Sequence, residues 1–264
     1  MTQFQFVQVD AFADQPFTGN PAAVVPLTEW LPDEILQAIA EENNLSETAF
    51  TIPAGDDEAD YELRWFTPTV EIALCGHATL ASGHVLLGER ERLRFRTRKA
   101  GILVVERDGE DYALDLPQTL VKPGTHERLL DVLGTPGADL FLSSEGAEAT
   151  AIVLLGSDAA VRALAPDMKA LAQIDLMVIA TAAGERGYDV VSRVFVPAWG
   201  VDEDPVTGAA HAALTPFWCD RLGREAFTAF QASRRGGRVE CRRAGDRVIL
   251  GGSCVTVIEG TLRF

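Results

Sequence analysis

The chain has 264 residues, 47% of them apolar and 23% charged, enough for two compact domains with a sizeable core. Its formal charge of −16 argues against nucleic acid or anionic membranes as partners, because binding of either begins with a basic patch. The three lysines, Lys99, Lys122 and Lys169, sit in no Schiff-base or phosphate-loop context, which takes weight from pyridoxal chemistry and nucleotide hydrolysis.

Residues Phe4 to Asp10 alternate as a strand does, and Pro16-Phe17-Thr18-Gly19-Asn20-Pro21 forms a tight loop before the apolar run Ala22 to Val25. Together they predict a curved antiparallel pair. Pro32-Asp33-Glu34 suits a helix start, with acids at its positive end and Ile35, Leu36, Ile39 and Ala40 on one face; the helix should stop near Asn43-Asn44. Glu47 opens a strand-like run to Ile52, an acidic loop spans Asp56 to Asp60, and Tyr61–Thr67 alternates again. Cys75-Gly76-His77 then opens a helix to about Gly88 that is apolar on nearly every side and so is expected to be enclosed. Strands are predicted at Leu93–Arg98, Ile102–Glu106 and Tyr112–Leu116, with the basic run Arg90–Lys99 as a solvated sheet face. Turn residues from Pro117 to Gly124 mark a boundary between halves 1–117 and 118–264, the last strand being free to pair with the first half.

The second half reads as a short helix near Glu127–Leu133, apolar runs at Leu140–Ser143 and Ala151–Leu155, a helical Asp167–Ala172, a strand-like Leu176–Ala180 and a long Tyr188–Val196 strand. The order found from Arg64 to the Cys75-Gly76-His77 helix then recurs from Arg193 through Asp204-Pro205-Val206-Thr207-Gly208, with three more residues between proline and glycine. A weakly charged helix from Gly208 to about Gly223 and alternating strands to Phe264 complete the chain. The expected class is α+β: two pseudo-symmetric halves with a site where the two copies meet.

Glycine at a helix mouth leaves backbone N–H groups open to a ligand, and the helix dipole favours negative charge there. Gly76 and Gly208 thus suggest two anion-binding ends, though each glycine alone also suits a tight turn. Glu47 can carry a proton between carbons or stand as a turn acid. Asp204 can act on substrate or cap the helix; His77 can donate to substrate or bond a neighbouring carbonyl; His211 reads as structural. A thiol at Cys75, beside a helix start, has its thiolate favoured, but the matching residue is Thr207, so a two-thiol relay is incomplete. The scattered Cys75, Cys219, Cys241 and Cys254 resemble neither a zinc clamp nor a redox dithiol. No metal or cofactor is expected. With no secretory pattern at Met1–Val7 and no apolar run of roughly 18–20 residues, a reduced cytoplasmic setting is expected.

Asp10-Ala11-Phe12 with Gly19-Asn20-Pro21-Ala22, Asn44–Phe50, Cys75-Gly76-His77-Ala78-Thr79 and Glu203–Gly208, in that order and with Glu259-Gly260 in the last strand, resemble the phenazine-biosynthesis PhzF-like family. The resemblance implies a diaminopimelate epimerase-like fold, each half a curved antiparallel sheet around a central helix with a cleft between, and a cofactor-independent isomerase, often a homodimer. It places proton transfer on Glu47, with His77 and Asp204 near substrate, and Asn20, Cys75, Gly76, Thr207, Gly208 and Ala209 as substrate contacts. Ala209 departs from the serine of the phenazine enzyme, leaving recognition there to backbone N–H groups, Thr207 or water.

The expected activity is therefore an isomerase acting on a small carboxylate, cyclic or amino-acid-derived. One alternative is an epimerase, racemase or dehydratase using Cys75. Another is a non-catalytic binding or interaction protein on the same fold.

Overall fold

The computed structural model of the chain describes residues 2–143 and 149–264. In chain order the elements are β1 (Gln3–Ala11), β2 (Asn20–Pro26), α1 (Asp33–Asn43), β3 (Glu47–Pro53), β4 (Tyr61–Phe66), β5 (Glu71–Ile72), α2 (Gly76–Leu86), β6 (Arg92–Thr97), β7 (Ile102–Asp108) and β8 (Asp111–Pro117). There follow β9 (Val121–Pro123), α3 (Glu127–Leu133), β10 (Asp139–Ser143), β11 (Thr150–Leu154), α4 (Asp158–Arg162), α5 (Met168–Leu171), β12 (Met177–Ala183), β13 (Val190–Val196) and β14 (Val201–Asp204). The last are α6 (Gly208–Leu222), β15 (Ala226–Gln231), β16 (Gly237–Ala244), β17 (Arg247–Gly252) and β18 (Cys254–Arg263). The chain divides into two compact units, Met1–Leu116 with Gly251–Phe264, and Pro117–Leu250. A single cut at 117/118 assigns the last strand to the second half, whereas β18 lies along β1 from Gln3↔Arg263 to Ala11↔Cys254 in the first unit.

Within the first unit β1 pairs antiparallel with β2, β2 parallel with β3, β3 antiparallel with β4, and β4 parallel with β6, which continues antiparallel into β7 and β8. Within the second unit β10 to β13, β15 and β16 follow the same sequence of antiparallel and parallel pairings. The repeat is register-true. Thr48 faces Phe66 as Val178 faces Phe195, and Phe66 faces Glu71 as Phe195 faces Glu203. These matches align Glu47 with Met177, Ile72 with Asp204, Cys75 with Thr207, Gly76 with Gly208 and His77 with Ala209. The three extra residues fall in the 3-10 turn region after Pro197.

Each unit closes on one central helix. Every residue from Gly76 to Gly83 in α2 is buried, and the helix packs on β1, β2, β3 and β7. Its polar members are tolerated because Thr79 Oγ1 donates to the Cys75 carbonyl and Ser82 Oγ to the Ala78 carbonyl, at 2.5 and 2.7 Å. Gly83 has a steric reason: a Cβ there would stand 2.4 Å from Val105 Cγ1 of β7. In the second unit α6 packs on β11, β15 and β16, with Trp218 Nε1 donating to Thr181 Oγ1 at 3.0 Å. No helix of the described residues is long and apolar enough to cross a membrane.

An arginine pins the return strand in both units. Arg64, 2% exposed, makes a two-pronged bond to Glu71 at 2.8 and 2.8 Å with its guanidinium 5.0 Å from the Phe66 ring. Arg193 does the same with Glu203 at 2.7 and 2.9 Å, over Phe195 at 4.9 Å. Planar bidentate pairing fixes distance and angle together, so the short β5 and β14 are held at one register. The basic face expected along Arg90–Lys99 is also partnered: Arg94 and Arg96 of β6 bind Asp60 and Asp56 of the acidic loop.

Candidate active site

The first unit brings Asn20, Glu47, Cys75 and His77 together. Asn20 begins β2, Glu47 begins β3, and Cys75 and His77 flank the first residue of α2, so three element starts converge at one end of the sheet. The loop before Asn20 is tightly determined. Phe17 adopts a left-handed φ of 72° and its N–H donates to the buried Asp10 carboxylate at 2.7 Å. At Gly19, φ +61°, a Cβ would lie 2.2 Å from the Ala11 carbonyl oxygen, so only glycine fits.

His77 is 3% exposed and links the group. Asn20 Nδ2 donates to His77 Nδ1 at 3.1 Å, which places the ring proton on Nε2, the nitrogen 2.9 Å from Glu47 Oε2. Glu47 Oε2 is buried yet receives no in-line hydrogen bond, the His77 contact being close but poorly aligned. Cys75 Sγ approaches the other ring nitrogen, Nδ1, at 3.5 Å. Glu47, Cys75 and His77 each offer a ligand atom within 4.8 Å of the others. The carboxylate and the thiol address opposite ring nitrogens, so the three groups form a row with the imidazole in the middle.

The second unit holds Asp204, Thr207, Gly208 and Ala209. Asp204, 8% exposed, ends β14 and does not cap α6; the cap position is Thr207. Thr207 Oγ1 donates to Asp204 Oδ2 at 2.5 Å. Gln231, fully buried at the end of β15, accepts from Thr207 N at 2.9 Å through Oε1 and donates through Nε2 to the Asp204 carbonyl at 2.7 Å and to Thr207 Oγ1 at 3.1 Å. Ser233 Oγ adds a bond to the Pro205 carbonyl at 2.7 Å. Sequence reasoning missed Gln231 and Ser233; the available signal was a glutamine ending an apolar strand. His211 is buried and donates from Nδ1 to the Thr207 carbonyl at 2.8 Å; burial pushes its pKa down to about 4, this bond pulling the other way, so it is neutral near pH 7.

The two central helices share a further property. Helices α3, α4 and α5 carry side-chain caps from His126, Ser157 and Asp167, and α1 carries Asp33 and Glu34 in its first turn. Only α2 and α6, among the α-helices of the described residues, have neither a side-chain cap nor a first-turn acid. Neither helix start thus carries a negative group of its own first turn.

Paired sheet-and-helix units of this kind define the diaminopimelate epimerase-like fold, and comparison with solved structures agrees. A hydroxyproline epimerase from Agrobacterium vitis shares the fold at 14% identity and a TM-score of 0.64, covering 98% of this chain and 92% of its own. A PhzF-family phenazine biosynthesis protein of Enterococcus faecalis is 41% identical with a TM-score of 0.89, over 100% of both chains. An uncharacterized isomerase of Pseudomonas aeruginosa is 47% identical over 97% of each chain. The family described as phenazine biosynthesis-like protein matches residues 9–260, and the chain belongs to that PhzC-PhzF family. It is an enzyme of the isomerase class.

Proposed function

We propose that this isomerase works without a cofactor, moving a proton between two carbons of a small carboxylate, cyclic or amino-acid-derived, with Glu47 as both acid and base. The observation that carries the reading is Glu47 Oε2: a buried carboxylate oxygen without an in-line donor, 2.9 Å from an imidazole nitrogen. A carboxylate saturated with hydrogen bonds is an anchor, whereas one bordered only by a group of adjustable protonation can take up and return a proton. Poorly aligned contacts of this kind tighten when substrate arrives.

Glu47 removes the proton from a carbon next to a carbonyl or unsaturated system; the C–H electron pair enters that π-system. The uncapped start of α2 at Cys75-Gly76 lies beside the row and offers backbone N–H groups to the substrate carboxylate and its growing negative charge. Glu47 then gives the proton to the distal carbon as the electron pair returns to form the new C–H bond. His77 and Asn20 orient the carboxylate, and Asp204 orients the substrate by accepting from a donor group. With Ala209 supplying no hydroxyl, Thr207 and the Gly208 backbone are the remaining contacts at the α6 start. That Cys75, Cys219, Cys241 and Cys254 form no disulfide accords with a cytoplasmic setting, and a homodimer is the assembly we expect.

The thiol of Cys75, 3.5 Å from His77 Nδ1, supports a second reading as an amino-acid epimerase. It lacks a second thiol, since Thr207 occupies the matching place. The test is incubation of purified protein with a panel of unsaturated and α-amino carboxylates in D2O, followed by proton NMR. Deuterium should enter a carbon position of at least one compound with double-bond movement. Tight binding of a compound with no exchange of any carbon-bound proton would defeat the enzyme reading.

A further inference from the structure

We infer that Gln231 is a positioning residue for the second unit's site: it sets the direction of the Thr207 hydroxyl and so holds Asp204 as an ionised acceptor, an anchor that does not carry protons. The inference rests on the reading of Asp204 as a substrate-orienting group, and deepens it.

The polarity of the row is dictated by backbone groups, which cannot exchange roles. Thr207 N–H can only donate, so the Gln231 atom 2.9 Å away is the oxygen; the Asp204 carbonyl can only accept, so the atom 2.7 Å from it is the nitrogen. The amide orientation is thereby fixed at both ends. Its nitrogen also donates to Thr207 Oγ1 at 3.1 Å, using a lone pair of the hydroxyl, and the hydroxyl proton points to Asp204 Oδ2 at 2.5 Å. A proton on Oδ2 would face that O–H, so the row favours the carboxylate. Gln231 is fully buried, which protects the arrangement from competition by water.

The matching position in the first unit makes the assignment specific. Gln231 pairs with Ser192 on β13 as Thr97 pairs with Leu63 on β4. Thr97 Oγ1 is spent on its own turn, donating to the Gly101 carbonyl and accepting from Ala100 N, both at 2.9 Å. The residue matching Gln231 thus has its hydroxyl engaged within its own turn.

The experiment is a carboxyl-carbon NMR titration of Asp204, its resonance assigned by loss in Asp204→Asn, in the wild type and in Thr207→Val, Thr207→Ser and Gln231→Glu. Thr207→Val removes the hydroxyl at nearly constant volume and leaves the glutamine's two backbone bonds, so it reports even if Gln231→Glu fails to fold. The Asp204 midpoint should rise by about half a pH unit or more in Thr207→Val and in Gln231→Glu, and stay at the wild-type value in Thr207→Ser. An unchanged midpoint in folded Thr207→Val would overturn the inference. The titration needs no substrate, so its failure is separate from that of the functional reading, which would show as an unchanged KM in Asp204→Asn.

Discussion

The two helix starts of this protein have one backbone and two chemistries. In both units an arginine–glutamate pair over a phenylalanine pins a short return strand that delivers a glycine to an uncapped, buried helix. The first unit places beside that helix an imidazole with a carboxylate at one ring nitrogen and an amide and a thiol at the other. The second places there a row ended by backbone donors and acceptors, with one permitted polarity. A duplicated scaffold thus supplies equivalent helix starts, and the side chains that differ there are Glu47 against Met177 and Asp204 against Ile72; in the function proposed above they divide proton transfer from anchoring.

The contrast breaks most directly at Glu47. Glu47→Gln should cut turnover by about 10²- to 10⁴-fold, the usual worth of a positioned general base, with the melting temperature little changed. Turnover near wild type would show that the carrier lies elsewhere. The next largest effect sharpens the contrast between Thr79 and His211, which donate to the matched carbonyls of Cys75 and Thr207. His211 has a folded pKa of about 4 against an ordinary 6.5, so its stability contribution is complete above 6.5 and is lost as pH falls from there toward 4, where only the unfolded chain takes up the proton. Urea unfolding at pH 7 and pH 4 should differ by on the order of 3 kcal/mol from this group, a difference that His211→Thr should remove. Gly83→Ala, which drives a Cβ against Val105, should lower stability by about 1–3 kcal/mol without altering the pH dependence. Cys75→Ser should change turnover by less than about threefold; a collapse there would favour the epimerase reading.

Much of this was legible in the sequence because the two halves share a grammar. Enclosed helices announced themselves by lack of charge, and the strand that Glu47 opens by its run to Ile52. Two short elements were not legible: β5 has two residues and α4 five, too few to show a period, and each owes its existence to a tertiary contact or cap, Arg64 with Glu71 and Ser157 with Ala160 N. The last strand was expected to be free to pair with the first half, and it lies along β1; the register of that pairing, which spans the whole chain, was not legible. Gln231 was invisible as a site residue because its role depends on which backbone groups the fold sets before it.

The division between carrier and anchor is tested most directly by measuring deuterium uptake from D2O at substrate carbon with Glu47→Gln and Asp204→Asn side by side on one turned-over carboxylate. The account predicts that Glu47→Gln loses exchange at every carbon, whereas Asp204→Asn still exchanges at saturating substrate with a raised KM. Exchange retained by Glu47→Gln and abolished by Asp204→Asn would contradict it.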